Sequence, residues 1–365
     1  MGNQGRQRPA GQKRNFHKRA PDVSEIGFRG SSRKRPNKTK RRFRKASGPR
    51  RHNHGMPQHA KNTSAADNEL RNEEQLSMEN GAAVAAMYEE GYRQGYYEGG
   101  EGRICRLLPS YTVLPDLTVD DVIARGIEQS ASLLVPLMPS GAVYTEIVQA
   151  LDRRLPLSLV RLGDGELLTL AHDMVISADQ ARAWGTFLPY AGVILPDAAT
   201  RNALIDSLNK ASIVGIPESR HPSFQGLLFP VLKQLGISCR ELKMTTSTVN
   251  YALHEQGLFY PMLRGRKLLL IGNKAAGLAN LLASQGFEVN GIITPVNGVY
   301  DVRRVMKEAA SIDFELALVA AGVAAVLICT AIASELGKVS FDLGHLANRL
   351  ENGETPLLHG LEVNG

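Results

Sequence analysis

Cysteine is scarce: Cys105, Cys239 and Cys329 are the only three in 365 residues, far apart and odd in number. That excludes a disulfide-stapled scaffold and a cysteine-ligated zinc knuckle, leaving three ordinary thiols of a reducing compartment. Residues 1–14, MGNQGRQRPAGQKR, are basic with no apolar stretch behind them, so no secretory signal is read there. Arg6 stands where a myristoylation motif needs Ser or Thr. A cytoplasmic protein is expected. Long hydrophobic runs are nearly absent too. The exception, residues 316–333 (LALVAAGVAAVLICTAIA), carries no charge but is rich in weakly apolar Ala and Gly. Gly322 falls where a buried strand (314–320) can turn into a helix (324–336), with Gly337 as its C-cap and 338–342 as the next strand. This predicts a buried strand–helix–strand unit and no membrane span.

Acidic residues are almost missing from the first 55 positions, which hold 18 Lys and Arg against 2 Asp and Glu. The rest holds 25 Lys and Arg against 34 Asp and Glu, so the net charge of +7 conceals a basic arm and a mildly acidic body. The arm also lacks the aliphatics to offset its ordering entropy, which predicts disorder. The disordered tail is read as 1–85, basic to 55 and then acidic and polar. A Tyr/Gly-rich linker follows over 86–110. There Tyr88, Tyr92 and Tyr96 recur every four residues, as a docking stripe on a helix or as a loosely helical linker.

What is present is a body with enough apolar material for a sizeable core, the whole chain being 43% hydrophobic. Residues 111–155 read as a helical lead-in, with Thr118 capping one amphipathic helix and a second over 142–153. From 156 to 352, strand-like runs (157–161, 211–216, 267–271, 287–293, 316–320, 339–342) alternate with helical patterns, one of them opened by a Ser177/Gln180 capping box. That alternation predicts an α/β fold with a mainly parallel sheet and flanking helices. Residues 353–365 are a C-terminal tail.

Five polar clusters follow predicted strands, on the edge where parallel sheets bind ligands. In Arg161-Leu-Gly-Asp-Gly-Glu166, two carboxylates project from a glycine turn. They suit a hard divalent cation that in turn holds a diphosphate, or they decorate a polar surface turn at a helix N-terminus. Arg161 beside them can grip a phosphate or orient a carboxylate. Gly272-Asn273-Lys274 joins strand to helix, as an anion site or as a turn needing Gly for its geometry. Asp342-Leu-Gly-His345 ends the last strand, with His345 a metal ligand, a base or a structural side chain. Residues 215–221 bring Glu218, Ser219, Arg220 and His221 into one loop. Residues 245–250, TTSTVN, can hold a sugar or cap a helix.

The R-x-G-D-G-E stretch, with its D-x-E pair, and the closing D-x-G-H segment together resemble the GT-D-type glycosyltransferases over roughly residues 145–350. Leu162 departs from the aromatic residue common in that motif. The resemblance implies a Rossmann-like domain transferring a hexose from a nucleotide sugar, commonly UDP-glucose, to a glycan, protein-linked or cell-surface acceptor. It also implies a divalent metal, manganese or magnesium. Carried over by position, Asp164 and Glu166 serve metal and catalysis, and His345 is a further metal or diphosphate contact. Arg161, Gly163, Gly165, Asn250, Gly272, Asn273, Lys274 and Gly322 are expected about the nucleotide sugar. The competing reading is a protein that binds nucleic acid or another anionic polymer through its arm, with a nucleotide-binding but non-catalytic domain.

Overall fold

The computed structural model describes residues 65–358, with side chains from residue 80 onward. The basic arm, the nucleic-acid and anionic-polymer partners expected for it, and residues 359–365 lie outside the described residues. Two units divide at Tyr96/Tyr97. In the first, a helix spans Ala65–Tyr96, across the boundary read from sequence between tail and linker. Its Ala, Glu, Leu, Met and Gln content favours the helix strongly enough to carry it through Gly81 and Gly91. Tyr88, Tyr92 and Tyr96 are all exposed on it.

The second unit is built on seven parallel strands. These are β1 (Leu157–Arg161), β2 (Ile213–Ile216), β3 (Met244–Thr246), β4 (Lys267–Gly272), β5 (Glu288–Ile293), β6 (Leu316–Ala320) and β7 (Val339–Asp342). Six match the strands read from the sequence. β3 is the addition: it is only three residues long, and in sequence its hydroxyls look like a ligand or capping cluster. The expected helices also form, including Val119–Gln129, whose Thr118 hydroxyl and Asp121 carboxylate complete a reciprocal capping box. At Ser177 the hydroxyl accepts from the Gln180 N–H, opening the helix Ala178–Trp184. The apolar run 316–333 divides into β6 and the helix Ala324–Leu336. Among the described residues no helix is long and apolar enough to cross a membrane.

Both sheet faces are buried, and strand alternation assigns each side chain to one of two cores. Leu157, Leu159, Leu268, Leu270, Leu316, Leu318, Val339 and Phe341 enter one core, against the helices Ser140–Arg153, Val249–Glu255, Ala275–Ser284 and Leu346–Glu351. Val160, Leu269, Ile271, Ala317 and Val319 enter the other, beneath Asp164–Ala171, Ala198–Lys210 and Ala324–Leu336. Strand order is β3-β2-β1-β7-β6-β4-β5. From β1 the chain winds outward to β2 and β3, crosses to β4 and β5, then returns through β6 to β7 beside β1. The order therefore switches between β1 and β7, and in such sheets the crevice beyond the carboxyl ends at the switch binds the ligand.

Candidate active site at the carboxyl edge of the sheet

β1 ends at Arg161, and Gly163 caps a helix, Asp164–Ala171, that starts at once. Glu166 is its third residue and folds back so that Oε2 accepts the Gly163 N–H at 2.8 Å. Asp164 accepts the Gly165 N–H at 3.0 Å. Burial, and then the neighbouring Asp342 carboxylate at the end of β7, push the Glu166 pKa up to about 7. Burial also raises Asp342 above the usual carboxylate range, against the pull of Arg161. Glu166 and Asp342, from the two strands that meet at the switch point, thus form an electrostatically coupled acidic pair.

Arg161 faces the core that also buries Asn250, and its guanidinium works on protein groups. Nε donates to the Asp342 carbonyl at 2.9 Å and Nη2 to the Asp342 carboxylate at 3.0 Å. Nη1 donates to the Ser247 carbonyl at 3.1 Å and to Asn250 Oδ1 at 3.4 Å. Of the two uses open to Arg161 in the sequence, the structure therefore displays the orienting of a carboxylate. Asn250 is fully buried and donates to the Leu343 carbonyl at 2.8 Å. Its amide is occupied in fastening the β3 side of the crevice to the end of β7.

The chain then passes so close to Arg161 that a Cβ at Gly344 would stand 1.7 Å from Nη2, and Gly344 has φ 52°. Gly344→Ala should cost at least about 2 kcal/mol, because a left-handed alanine and a displaced ion pair add their penalties. Urea unfolding at neutral pH measures it; an unchanged midpoint would show that the guanidinium yields freely.

At the turn after β4, Gly272 has φ 136° and a Cβ there would meet the Ala320 carbonyl at 2.1 Å. Asn273 Oδ1 accepts the Val296 N–H at 2.8 Å, and Lys274 pairs with Glu351 at 2.9 Å. At the turn after β6, a Cβ on Gly322 would approach the Ala191 carbonyl to 2.8 Å. These turns lie on the expected edge, with the Asn273 and Lys274 side chains engaged by the protein. The 215–221 loop is exposed from Glu218 to His221 and closed locally, His221 Nδ1 accepting the Ser223 N–H at 3.2 Å. A cavity of about 720 Å³ lies between the helices Ala198–Lys210, Val302–Ala309 and Ala324–Leu336, and none of the carboxylates above lines it.

His345 is exposed just past the Gly344 turn. Among the described residues no three His, Cys, Asp or Glu side chains are grouped to hold a metal ion. Asp164, Glu166 and His345 are not grouped in this way, and Glu166 is folded back onto Gly163. Carboxylates on a crevice do suit magnesium or manganese, which complete their shells with phosphate oxygens and water.

One buried network escaped the sequence reading. His172 Nδ1 donates to the Thr169 carbonyl at 2.6 Å, and Nε2 accepts the Asp197 N–H at 3.1 Å. With Nε2 accepting and Nδ1 donating, the ring is neutral in one tautomer and pins the far end of the Glu166 helix, and burial lowers its pKa in the same sense. Asp197 in turn accepts from Thr200 at 2.6 Å and from the Tyr300 hydroxyl at 3.0 Å. His172 stands alone in sequence between apolar and acidic neighbours, with no spacing to reveal these partners.

A parallel, Rossmann-like sheet with an acidic pair at its switch point defines the class of domain. The chain belongs to the GT-D fold-like family, whose profile matches residues 138–350. The resemblance drawn from the R-x-G-D-G-E and D-x-G-H segments is thereby borne out. Among solved structures, the chain is similar to a selenomethionine form of domain of unknown function 1792, at 17% identity and a TM-score of 0.43, covering 63% of this chain and 85% of that one. It is likewise similar to a domain of unknown function 1792 described as having a distinct glycosyltransferase fold. There the identity is 16% and the TM-score 0.41, with coverage of 63% and 85%. No curated protein matches the chain.

Proposed function

We propose that this protein transfers a hexose from a nucleotide sugar, UDP-glucose or a close relative, to a glycan, protein-linked or cell-surface acceptor. The observation that carries the reading is the convergence of Glu166 and Asp342, with Asp164 beside them, at the switch point of a GT-D-like sheet. Glu166 takes the proton of the acceptor hydroxyl as that oxygen attacks the anomeric carbon. Arg161 and Asn250 hold Asp342 and the backbone through Gly344 rigidly against the crevice, so the acidic groups need no reorganisation during transfer. The turns at Gly163–Gly165, Gly272–Lys274 and Gly322 open helices whose N-termini face the same edge, where a diphosphate is favoured. His345 contacts that diphosphate from the exposed side. Asp164 and Asp342 would hold a manganese or magnesium ion, which when bound neutralises charge on the departing nucleoside diphosphate.

Calorimetry of the full chain tests the donor half of this reading. UDP should bind more tightly with manganese present than without it, and Asp342→Asn should remove most of that difference. Equal UDP affinity with and without the metal would contradict the assigned carboxylate roles.

A further inference from the structure

We propose that the loop over residues 184–196 is the acceptor subsite, and that it takes a carbohydrate chain whose sugar rings stack on Trp184, Phe187 and Tyr190. The inference rests on the transferase reading above and names the substrate class for its second half.

This loop is anchored, yet it leaves Tyr190 and Ile194 in water and two further aromatic rings part-exposed. Leu188, Val193 and Leu195 are buried, whereas Tyr190 is 89% and Ile194 72% exposed, with Trp184 and Phe187 near 40% and 37%. Its backbone is tied by the Val193 N–H to the Leu188 carbonyl at 3.0 Å and the Ala191 N–H to the Phe187 carbonyl at 3.1 Å. A loop held this firmly has no packing reason to leave Tyr190 in water beside two half-covered aromatic rings, Trp184 and Phe187. Such exposed apolar groups mark a binding surface.

Position decides which surface. The Phe187 ring comes within 3.5 Å of where a Cβ on Gly165 would stand, in the first turn of the helix that carries Glu166. The Ala191 carbonyl lies over Gly322. Trp184–Ile194 therefore borders the acidic pair on its β6 side, within reach of a second substrate bound beside it. Chemistry decides which ligand. Separate rings, one bearing a phenol, suit the alternating C–H faces and hydroxyls of a pyranose chain. A lipid-binding lip would instead need continuous aliphatic surface, and Ile194 is this loop's one exposed branched aliphatic.

Trp184 is the chain's only tryptophan, so its emission reports on this loop alone. The full chain would be titrated with gluco-, galacto- and N-acetylglucosamine tetrasaccharides, without any donor. A saturable change in emission with at least one of them is expected, weakened about tenfold or more in Tyr190→Ala. Tyr190 is almost wholly exposed, so that variant should keep its fold. No change with any tetrasaccharide, equal affinity in Tyr190→Ala, or a response to polyprenyl-phosphate vesicles in place of the saccharides would each overturn the proposal. Because binding is read without a donor, saccharide binding without nucleotide-sugar cleavage would sink the transferase reading and leave the subsite standing. Cleavage without saccharide binding would do the reverse.

Discussion

Glu166→Gln should yield a folded protein whose transfer rate has fallen by roughly 100- to 10,000-fold, the usual contribution of a positioned general base. The same change should stabilise the metal-free protein at alkaline pH. Glu166 has a folded pKa of about 7, raised from 4.5, so between those values the native state keeps a proton that the unfolded chain releases. A raised acid contributes stability that is fully present below its unfolded pKa and is lost as pH rises through the folded one. Gln is neutral throughout, and its amide oxygen can still accept the Gly163 N–H. With chelator present, the variant should match the wild type near pH 5 and exceed it by about 1–3 kcal/mol near pH 8.5. Activity and stability then move in opposite directions, a combination that a merely structural carboxylate does not produce. Urea midpoints at the two pH values, with nucleotide release at saturating donor, measure both. A Gln variant that is active, or less stable at pH 8.5, contradicts the role given to Glu166.

Arg161→Met should destabilise the domain by about 3–5 kcal/mol, because it leaves a buried carboxylate without its partner. The Arg161 and Asp342 side chains keep only 16% and 6% of their surface exposed, so solvent cannot compensate. Arg161→Lys should recover only part of the loss. One ammonium cannot reach the Asp342 carbonyl, the Asp342 carboxylate and the Ser247 carbonyl at once, as the guanidinium fork does. Both variants should lower kcat and the manganese-dependent part of UDP affinity together, since Arg161 acts through Asp342 and donates to protein groups. A large KM effect with unchanged kcat would make Arg161 a donor-binding residue instead.

The sheet was legible in the sequence because its strands are short apolar runs bounded by glycine turns, and both faces are buried. β3 was not, since three residues give no periodicity. The acidic crevice was half legible. Asp164 and Glu166 stand out as a pair one residue apart, within the motif that carries the resemblance. Asp342 stands out as the first residue of the closing D-x-G-H segment, but 176 positions beyond Glu166, with nothing local to make the two neighbours. Only strand order brings it beside β1, and no local pattern encodes strand order. The same holds for Arg161 and Asn250, whose polar side chains suggest ligand contacts until the fold shows what surrounds them. Lys274 likewise had an anion-binding look in sequence, and Glu351 answers its charge in the structure.

The decisive measurement is nucleoside diphosphate release by the full chain from a panel of UDP-sugars, with and without manganese. Metal-dependent release from one donor, abolished in Glu166→Gln, is the predicted result. No release from any donor, together with no heat of UDP binding, would contradict a nucleotide-sugar transferase at this crevice.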